Sequence, residues 1–247
     1  MKVNLLSYPT TAPDNFSKKE GKELLKTNSK AIAERQNLLM ADGSKSLLVV
    51  IQGMDASGKD SAVKAVFKRI SPSGIQVKSF KKPTDEEFAH DFLWRVHQHV
   101  PAKGMIQVFN RSHYEDVLIQ RVHKWISEDV VAKRFNHINN FEQLLVETGT
   151  EVVKFFLHTD KAKQLIELNE RKTDPTKHWK HNSNDYKERK HWNKYMKAYE
   201  SVFENCSKSA PWHIIPSDEN WYKEYLMSTI VKAKLEEMDL AYPPLKK

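Results

Sequence analysis

The apolar run Leu47-Leu48-Val49-Val50-Ile51 is followed at once by Gly53-Met54-Asp55-Ala56-Ser57-Gly58-Lys59-Asp60, and then by helical spacing from Ser61. A strand, a glycine-bracketed loop and a helix in that order constrain the fold more than any other feature of the chain. In a G-x-x-x-x-G-K loop, successive backbone N–H groups turn onto phosphate oxygens, and the helix N-terminus and the lysine ammonium add positive field. Gly53, Met54, Ala56, Ser57 and Gly58 are therefore candidate phosphate-binding positions, with Lys59 at their focus. A plain glycine turn between strand and helix is the bland alternative, and it gives the lysine no task.

Two acids in the loop stand out. Asp60 occupies the position after the lysine where a Ser or Thr hydroxyl commonly binds magnesium, and Ser61 follows it. Carboxylate and alcohol are both hard oxygen ligands, so metal binding is not excluded but its geometry would differ. Asp55 would repel polyphosphate anions unless a cation lay between them, which marks it as a magnesium ligand or part of a water-mediated shell. The alternative is an aspartate capping its own turn.

At 247 residues and 39% hydrophobic, the chain suits one sizeable α/β domain with an appended helical element. Residues 1–45 are expected to form an N-terminal helical arm, with a helix over 18–40, and residues 46–247 the main domain. Strands are expected at 47–52, 75–80, 105–109, 152–157 and 212–215. Helical spacing covers 61–70, 86–99, 114–125, 128–148, 161–169 and 221–238. The alternation implies right-handed crossovers and a five-stranded parallel sheet covered on both faces. No stretch is apolar enough for a membrane span, and the single cysteine, Cys206, suits a reducing cytoplasm. Neither secretion nor a structural zinc site is expected.

In open parallel sheets, ligands bind beyond the carboxyl ends of the strands. Lys81 and Lys82 follow the second strand, and Asn110-Arg111-Ser112-His113-Tyr114-Glu115-Asp116 follows the third. Arg111 offers a fork of donors for a phosphoryl group, and Glu115 or Asp116 could complete a magnesium site. Helix caps and salt bridges are the competing explanations, most strongly for Ser112 and Asp116. The net charge of +8 concentrates in 161–200, where eleven Lys or Arg stand against six Asp or Glu, a net +5. A basic, proline-interrupted helical segment before the last strand, about 171–195, suits a mobile lid that brings cations to migrating charge. A solvated helix face is the alternative.

With these residues in view, the chain resembles the polyphosphate kinase 2 family, whose three-layer P-loop fold is similar to that of thymidylate kinase. The resemblance runs from about Lys45 to Trp212. It rests on Gly53-x-Asp55-Ala56-x-Gly58-Lys59, on Phe109-Asn110-Arg111-Ser112-His113-Tyr114-Glu115-Asp116, and on Arg171-x-x-Asp174-Pro175-x-Lys177-x-Trp179-Lys180 with Ser183-x-Asp185. It implies magnesium-assisted, reversible phosphoryl transfer between inorganic polyphosphate and nucleoside mono- or diphosphates (AMP/ADP, GMP/GDP), with manganese as an alternative metal. By the matching motifs, Lys59 and the loop amides hold the transferred group, Asp55 organises magnesium with Glu115, and Arg111 and Arg171 neutralise migrating charge. Asn110 departs from the aspartate of many members and looks like the branch that accepts monophosphates as well as diphosphates. Lys177, Lys180 and Asp185 belong to the lid. A cytoplasmic homo-oligomer, dimer or tetramer, is expected.

A linear polyanion as donor would further require a positive groove leading away from the site, for which Lys64, Lys68, Lys81, Lys82 and Arg121 are candidates beside the reading of ordinary surface cations. Two other functions compete. An ATP-dependent nucleoside monophosphate kinase shares fold, loop and lid. A nucleic-acid-binding protein would use the basic charge with Trp179, Tyr186, Trp192 and Tyr195 as stacking platforms, but it leaves the phosphate loop idle.

Overall fold

The computed structural model describes residues 2–245. Five strands, β1 (Ser46–Gly53), β2 (Ile75–Ser79), β3 (Ile106–Asn110), β4 (Thr150–His158) and β5 (Trp212–Pro216), form one sheet in the order β2-β3-β1-β4-β5. Every neighbouring pair is parallel, with Val49 of β1 level with Val108 of β3 and Val153 of β4. The helices are α1 (Lys18–Asp42), α2 (Lys59–Val66), α3 (Asp85–Ala89), α4 (Trp94–His97) and α5 (Ile119–Val122) in the first half of the chain. The second half contains α6 (Glu128–Glu147), α7 (Lys161–Thr173), α8 (Ser183–Glu188), α9 (Trp192–Asn205) and α10 (Asn220–Glu237).

All eight residues of β1 are buried, because the central strand of a sheet covered on both faces has no solvent side. Its side chains divide by the two-residue period of a strand. Leu48 and Val50 join Phe109, Val152 and Phe156 in one core, against Phe135, Ile138 and Phe141 of α6 and Tyr199, Val202 and Phe203 of α9. Leu47, Val49 and Ile51 join Val108, Val153 and Phe155 in the other, against Ile32 of α1, Val66 of α2 and Met227 and Val231 of α10. The result is a three-layer α/β/α arrangement. Each large apolar side chain so buried contributes about 1.5–3 kcal/mol.

The helix α1 starts where the Ser17 hydroxyl accepts the Glu20 N–H and stops at Gly43, whose φ of +67° is open to glycine at little cost. It packs along α10, and Asn28 Nδ2 donates to the Ser228 and Thr229 hydroxyls at 3.0 and 2.9 Å. Two expected helices are broken. Over 86–99 the chain forms α3 and α4, because the Asp91 carboxylate accepts the N–H groups of Leu93 and Trp94 and restarts the helix there. Over 114–125 it forms a 3₁₀ turn, His113–Val117, followed by α5. Among the described residues no helix is long and apolar enough to cross a membrane.

The chain builds β2 and β3 on one side of β1 and then β4 and β5 on the other. Where that order reverses, a crevice opens beyond the carboxyl ends of the strands. Loop 53–59 enters it from β1.

Candidate active site

The crevice is a cleft of about 700 Å³. The loop contributes residues 55–61 to its walls, β2 leads in Lys81 and Lys82, and β3 delivers Asn110 and Arg111. From the far side come Lys163, Glu167 and Arg171 of α7, and then Lys177, Trp179, Lys180 and Asp185 of the lid.

Within the loop the backbone carries its function in its angles. Gly58 caps α2 at φ +85°, and Ala56 adopts φ +63°, a conformation rare without glycine. Arg111, immediately after β3, stands at φ +60°. Two non-glycine residues in the left-handed region at one site show the surrounding structure imposing geometry there. A Cβ added at Gly58 would lie 2.0 Å from Lys223 Nζ, so a side chain here would displace that ammonium.

The Lys59 ammonium is buried and donates to the carbonyl oxygens of Gly53 at 2.8 Å and Met54 at 3.0 Å. Burial, followed by the Arg111 charge, lowers its pKa to about 8 against the pull of Asp55, Glu115 and Asp60. Arg111 donates to Asp55 in a close ion pair. Burial opposes the guanidinium charge, but Asp55 and then Glu115 outweigh it, and the pKa is pushed up. Asp60 accepts from Asn110 Nδ2 at 2.6 Å and stands 3.8 Å from Lys180 Nζ of the lid.

The segment expected to form a lid follows α7 through Asp174-Pro175. The Asp174 side chain caps a 3₁₀ turn, Pro175–Lys180, by accepting the Thr176 N–H at 2.9 Å, and α8 comes next. Arg171 Nη1 donates to Asp185 Oδ2 at 2.8 Å and to the Lys180 carbonyl at 3.3 Å. Burial and then the Asp55 charge raise the pKa of the Asp185 carboxyl, against Arg171, Arg111 and Lys59. Lys177 pairs with Glu170 at 2.5 Å.

Some expected site residues lie elsewhere. Arg121 is off the cleft, held by Glu128 through Nε at 2.9 Å and Nη2 at 2.6 Å, because the two face each other across the turn into α6. Lys64 of α2 and Lys68, in the turn just after it, line a separate groove together with residues of α1. Glu115 does not line the cleft either; it acts through its charge on Arg111 and Lys59. Gly53 and Met54 lie beneath the loop and offer their carbonyls to Lys59.

Several contributors were not picked out from the sequence. Gln164 of α7 is fully buried and donates to the Asp55 carbonyl at 3.0 Å. Lys223 of α10, also fully buried, donates to the Ser57 carbonyl at 3.2 Å and to Asn220 Oδ1 at 2.8 Å. Burial lowers its pKa to about 8. Both fix the loop by its carbonyls, while within the loop the Ser57 N–H donates to the Met54 carbonyl at 3.2 Å. Arg95 of α4 donates to the Lys81 carbonyl at 2.9 Å and so props the segment that carries Lys81 and Lys82. A signal was available for Lys223: it falls at four-residue spacing on the buried stripe Met227, Val231, Leu235.

Among the described residues no three or more His, Cys, Asp or Glu side chains gather as a metal-ligand set. Magnesium in phosphoryl-transfer sites is held by one or two carboxylates, with substrate phosphates and water completing the shell. Asp55 and Asp185 both line the cleft, and the charge of one raises the pKa of the other, so this pair of hard oxygen donors fits a dication.

Comparison with known proteins agrees with this geometry. The polyphosphate kinase 2 family pattern matches residues 15–243. An AMP/ADP-polyphosphate phosphotransferase of Meiothermus ruber is 44% identical over 94% of this chain and 89% of its own. An ADP-polyphosphate phosphotransferase of Rhodopseudomonas palustris is 38% identical over 98% of this chain and 89% of its own. The crystal structure of polyphosphate kinase 2 from Arthrobacter aurescens TC1 superposes with a TM-score of 0.95 at 39% identity, over 99% of this chain and 89% of that one. With the family pattern matched over residues 15–243, a relative 44% identical over 94% of the chain and a solved member superposing at a TM-score of 0.95, the chain belongs to the polyphosphate kinase 2 family.

Proposed function

We propose that this protein transfers a phosphoryl group reversibly between inorganic polyphosphate and a nucleoside mono- or diphosphate, AMP/ADP or GMP/GDP. The observation that carries the reading is the convergence of Lys59, Arg111, Arg171, Lys81 and Lys82 on one cleft over a phosphate loop, in a member of this family. In the forward direction a terminal oxygen of the nucleotide forms a new P–O bond to the end phosphorus of the polyphosphate. The bridging P–O bond behind that phosphorus breaks, and the chain leaves one unit shorter with the bonding electron pair on its new terminal oxygen.

Little covalent work falls to the protein, which supplies position and charge. The loop N–H groups and Lys59 hold the migrating phosphoryl, and Lys59 exchanges its two carbonyl partners for phosphate oxygens. Arg111, locked by its backbone and by Asp55, faces the same group. Arg171 exchanges Asp185 for the substrate as the lid closes, which excludes water that would otherwise hydrolyse the anhydride. Magnesium, with manganese as an alternative, would neutralise phosphate charge when bound, and Asp55 with Asp185 would hold it. Trp179, exposed on the lid at the cleft's edge, offers a face for a base.

The test is a panel: purified protein with magnesium, AMP, ADP, GMP or GDP, and either polyphosphate or ATP as donor. Product from polyphosphate is expected. Product from ATP and a monophosphate with none from polyphosphate would replace this reading with a nucleoside monophosphate kinase.

A further inference from the structure

Outside the cleft, the last turn of α8 meets the end of α5 through one carboxylate. Glu188 Oε2 accepts from the Tyr195 hydroxyl of α9 at 2.7 Å and from His123 Nε2, directly after α5, at 2.9 Å, and Oε1 lies 3.1 Å from the same nitrogen. A carboxylate only accepts, so that nitrogen carries the imidazole proton. The His123 ring is held on two sides: Trp125 stacks on it with centroids 5.0 Å apart, and His191 meets it edge-on at 5.1 Å. Glu188 and His123 are half-buried and Tyr195 is buried. Burial pushes the Glu188 carboxyl up, but the hydrogen bonds of Tyr195 and His123, with the charges of His123 and His191, outweigh it and hold the pKa below the usual range. None of these residues lines the cleft.

The polar contacts of 169–189 sort into two kinds. Most join α7 and the segment after it to each other: Arg171 to Asp185, Lys177 to Glu170, the Tyr186 hydroxyl to Asn169 Oδ1 at 3.0 Å, and Lys172 over the Tyr186 ring at 4.2 Å. Arg189 continues the pattern, donating to the Lys161 carbonyl at the start of α7 at 2.9 Å. These contacts bind α7, the 3₁₀ turn and α8 into one body. Among the described residues, its ion pairs and side-chain hydrogen bonds over 169–189 reach other elements through two side chains. Lys180 stands 3.8 Å from Asp60, longer than a hydrogen bond, and Glu188 makes the close contacts to His123 and Tyr195. His123 closes the stretch that Arg111 opens after β3, so the clamp ties the lid to the stretch that carries the guanidinium.

We propose that Glu188 is a positioning residue for the transfer: shared between His123 and Tyr195, it fixes the trailing end of the lid, so that closure seats 171–187 over the phosphates and shuts out water. The inference rests on the function proposed above and assigns the fixed point of its lid. The chemistry at stake is a partition between two nucleophiles. With the lid seated, the nucleotide oxygen attacks the terminal phosphorus. Through a gap, a water oxygen forms that P–O bond instead; the bridging bond breaks with its electron pair on the shortened chain, a proton passes to solvent, and orthophosphate leaves. A body anchored at one point closes along one path, whereas a body without the anchor closes in many positions, few of which align the reactants and seal the site. Tyr195, weighed above as a stacking platform for bases, is buried and committed to this contact.

Glu188→Ala, Glu188→Gln and Tyr195→Phe are compared with wild type in two measurements. Steady-state kinetics with polyphosphate and ADP count orthophosphate released against ATP formed, and hydrogen exchange is followed with and without both substrates. Glu188→Ala is expected to lower kcat about tenfold with KM for ADP within about threefold of wild type, and to raise the orthophosphate released per ATP about fivefold or more. The protection that 171–187 gains with both substrates should shrink, while exchange in β1 and β4 stays at wild-type rates. The glutamine keeps an acceptor oxygen without the charge, and Tyr195→Phe removes one donor, so both variants should fall between wild type and Glu188→Ala. Wild-type partition and protection in Glu188→Ala overturn the proposal and leave the activity standing. A Glu188→Ala protein with lowered Tm and kcat but wild-type partition makes the residue structural and overturns it as well. A wild type that uses polyphosphate yet gains no protection over 171–187 removes the lid and this proposal with it. A wild type that uses no polyphosphate overturns the proposed function itself, and this inference falls too.

Discussion

The Lys59 ammonium donates to two carbonyls of its own loop, so an incoming phosphoryl group competes with weak neutral acceptors rather than with an acid. Lys59→Ala should therefore lower kcat by two orders of magnitude or more, about 3 kcal/mol, with circular dichroism unchanged. Near-normal turnover in a folded variant would remove the lysine from the mechanism. Its pKa of about 8 adds a pH signature. The unfolded chain holds this proton up to about 10.5, so the cost of a charged buried lysine to stability is full below pH 8 and relieved as pH rises from 8 towards 10.5. Activity runs the opposite way, since phosphate needs the ammonium. The kcat/KM for polyphosphate should fall as pH rises through about 8. Lys223 has the same lowered pKa, so the assignment needs the pair of variants: Lys223→Met should keep the alkaline limb and Lys59→Arg should displace it upward. Lys59, Asp55, Arg111 and Arg171 were legible because each sits in a spacing that phosphate chemistry dictates. Gln164 and Lys223 were less so, because what they hold at the site is loop carbonyls, which no motif marks; the four-residue spacing of Lys223 shows that it is buried but not what it touches.

At the scale of elements, the lid holds its own cations in check. Arg171 is neutralised by Asp185, Lys177 by Glu170, and Lys180 stands opposite Asp60 of the loop, so the closure proposed above would be an exchange of partners rather than a capture by free charge. Arg171→Lys retains charge but loses the fork that reaches two phosphate oxygens. Its kcat should fall by roughly a hundredfold while KM for the nucleotide moves less than about threefold, as for an interaction that strengthens in the transition state. Hydrogen exchange over 171–195 should slow when nucleotide and polyphosphate are both present, and equal exchange in the two states would reduce the lid to a solvated face. Five strands were readable from β-branched and apolar runs, and α6 and α10 from their period. The short helices were less so: over 86–99 a side chain at Asp91 captures two backbone N–H groups and overrides the apolar spacing. Arg121 misled for a related reason, since composition marks a cation but not the carboxylate that faces it after the next turn.

Across the whole molecule, one buried polar network ties the catalytic edge to the helical layer behind it. Lys154 sits in β4 between Val152 and Phe156, on the face that packs against α6 and α9. Its ammonium donates to Glu142 Oε2 of α6 at 2.5 Å, to the Tyr114 hydroxyl at 2.9 Å and to the Cys206 carbonyl at the end of α9 at 2.8 Å. Tyr114, three residues after Arg111, donates to the other Glu142 oxygen at 2.6 Å. No sequence period reveals this, because the partners come from four elements and converge only when the layers are assembled. Lys154 holds the Glu142 carboxyl below the usual range despite burial, so that carboxylate favours folding above pH 4.5, and its contribution is lost as pH falls through the lowered native value. A buried pair broken on one side leaves the other charge uncompensated. Glu142→Gln should therefore cost about 3 kcal/mol or more in a urea titration at pH 7, and Lys154→Met a similar amount. The double variant Glu142→Leu/Lys154→Met, which removes both charges, should recover part of that loss while still freeing Tyr114 and the segment before it. Its kcat should then remain below wild type even where its stability approaches it. A Glu142→Gln protein within about 0.5 kcal/mol of wild type would mean that the pair contributes nothing to stability, and that Arg111 is set by the loop alone.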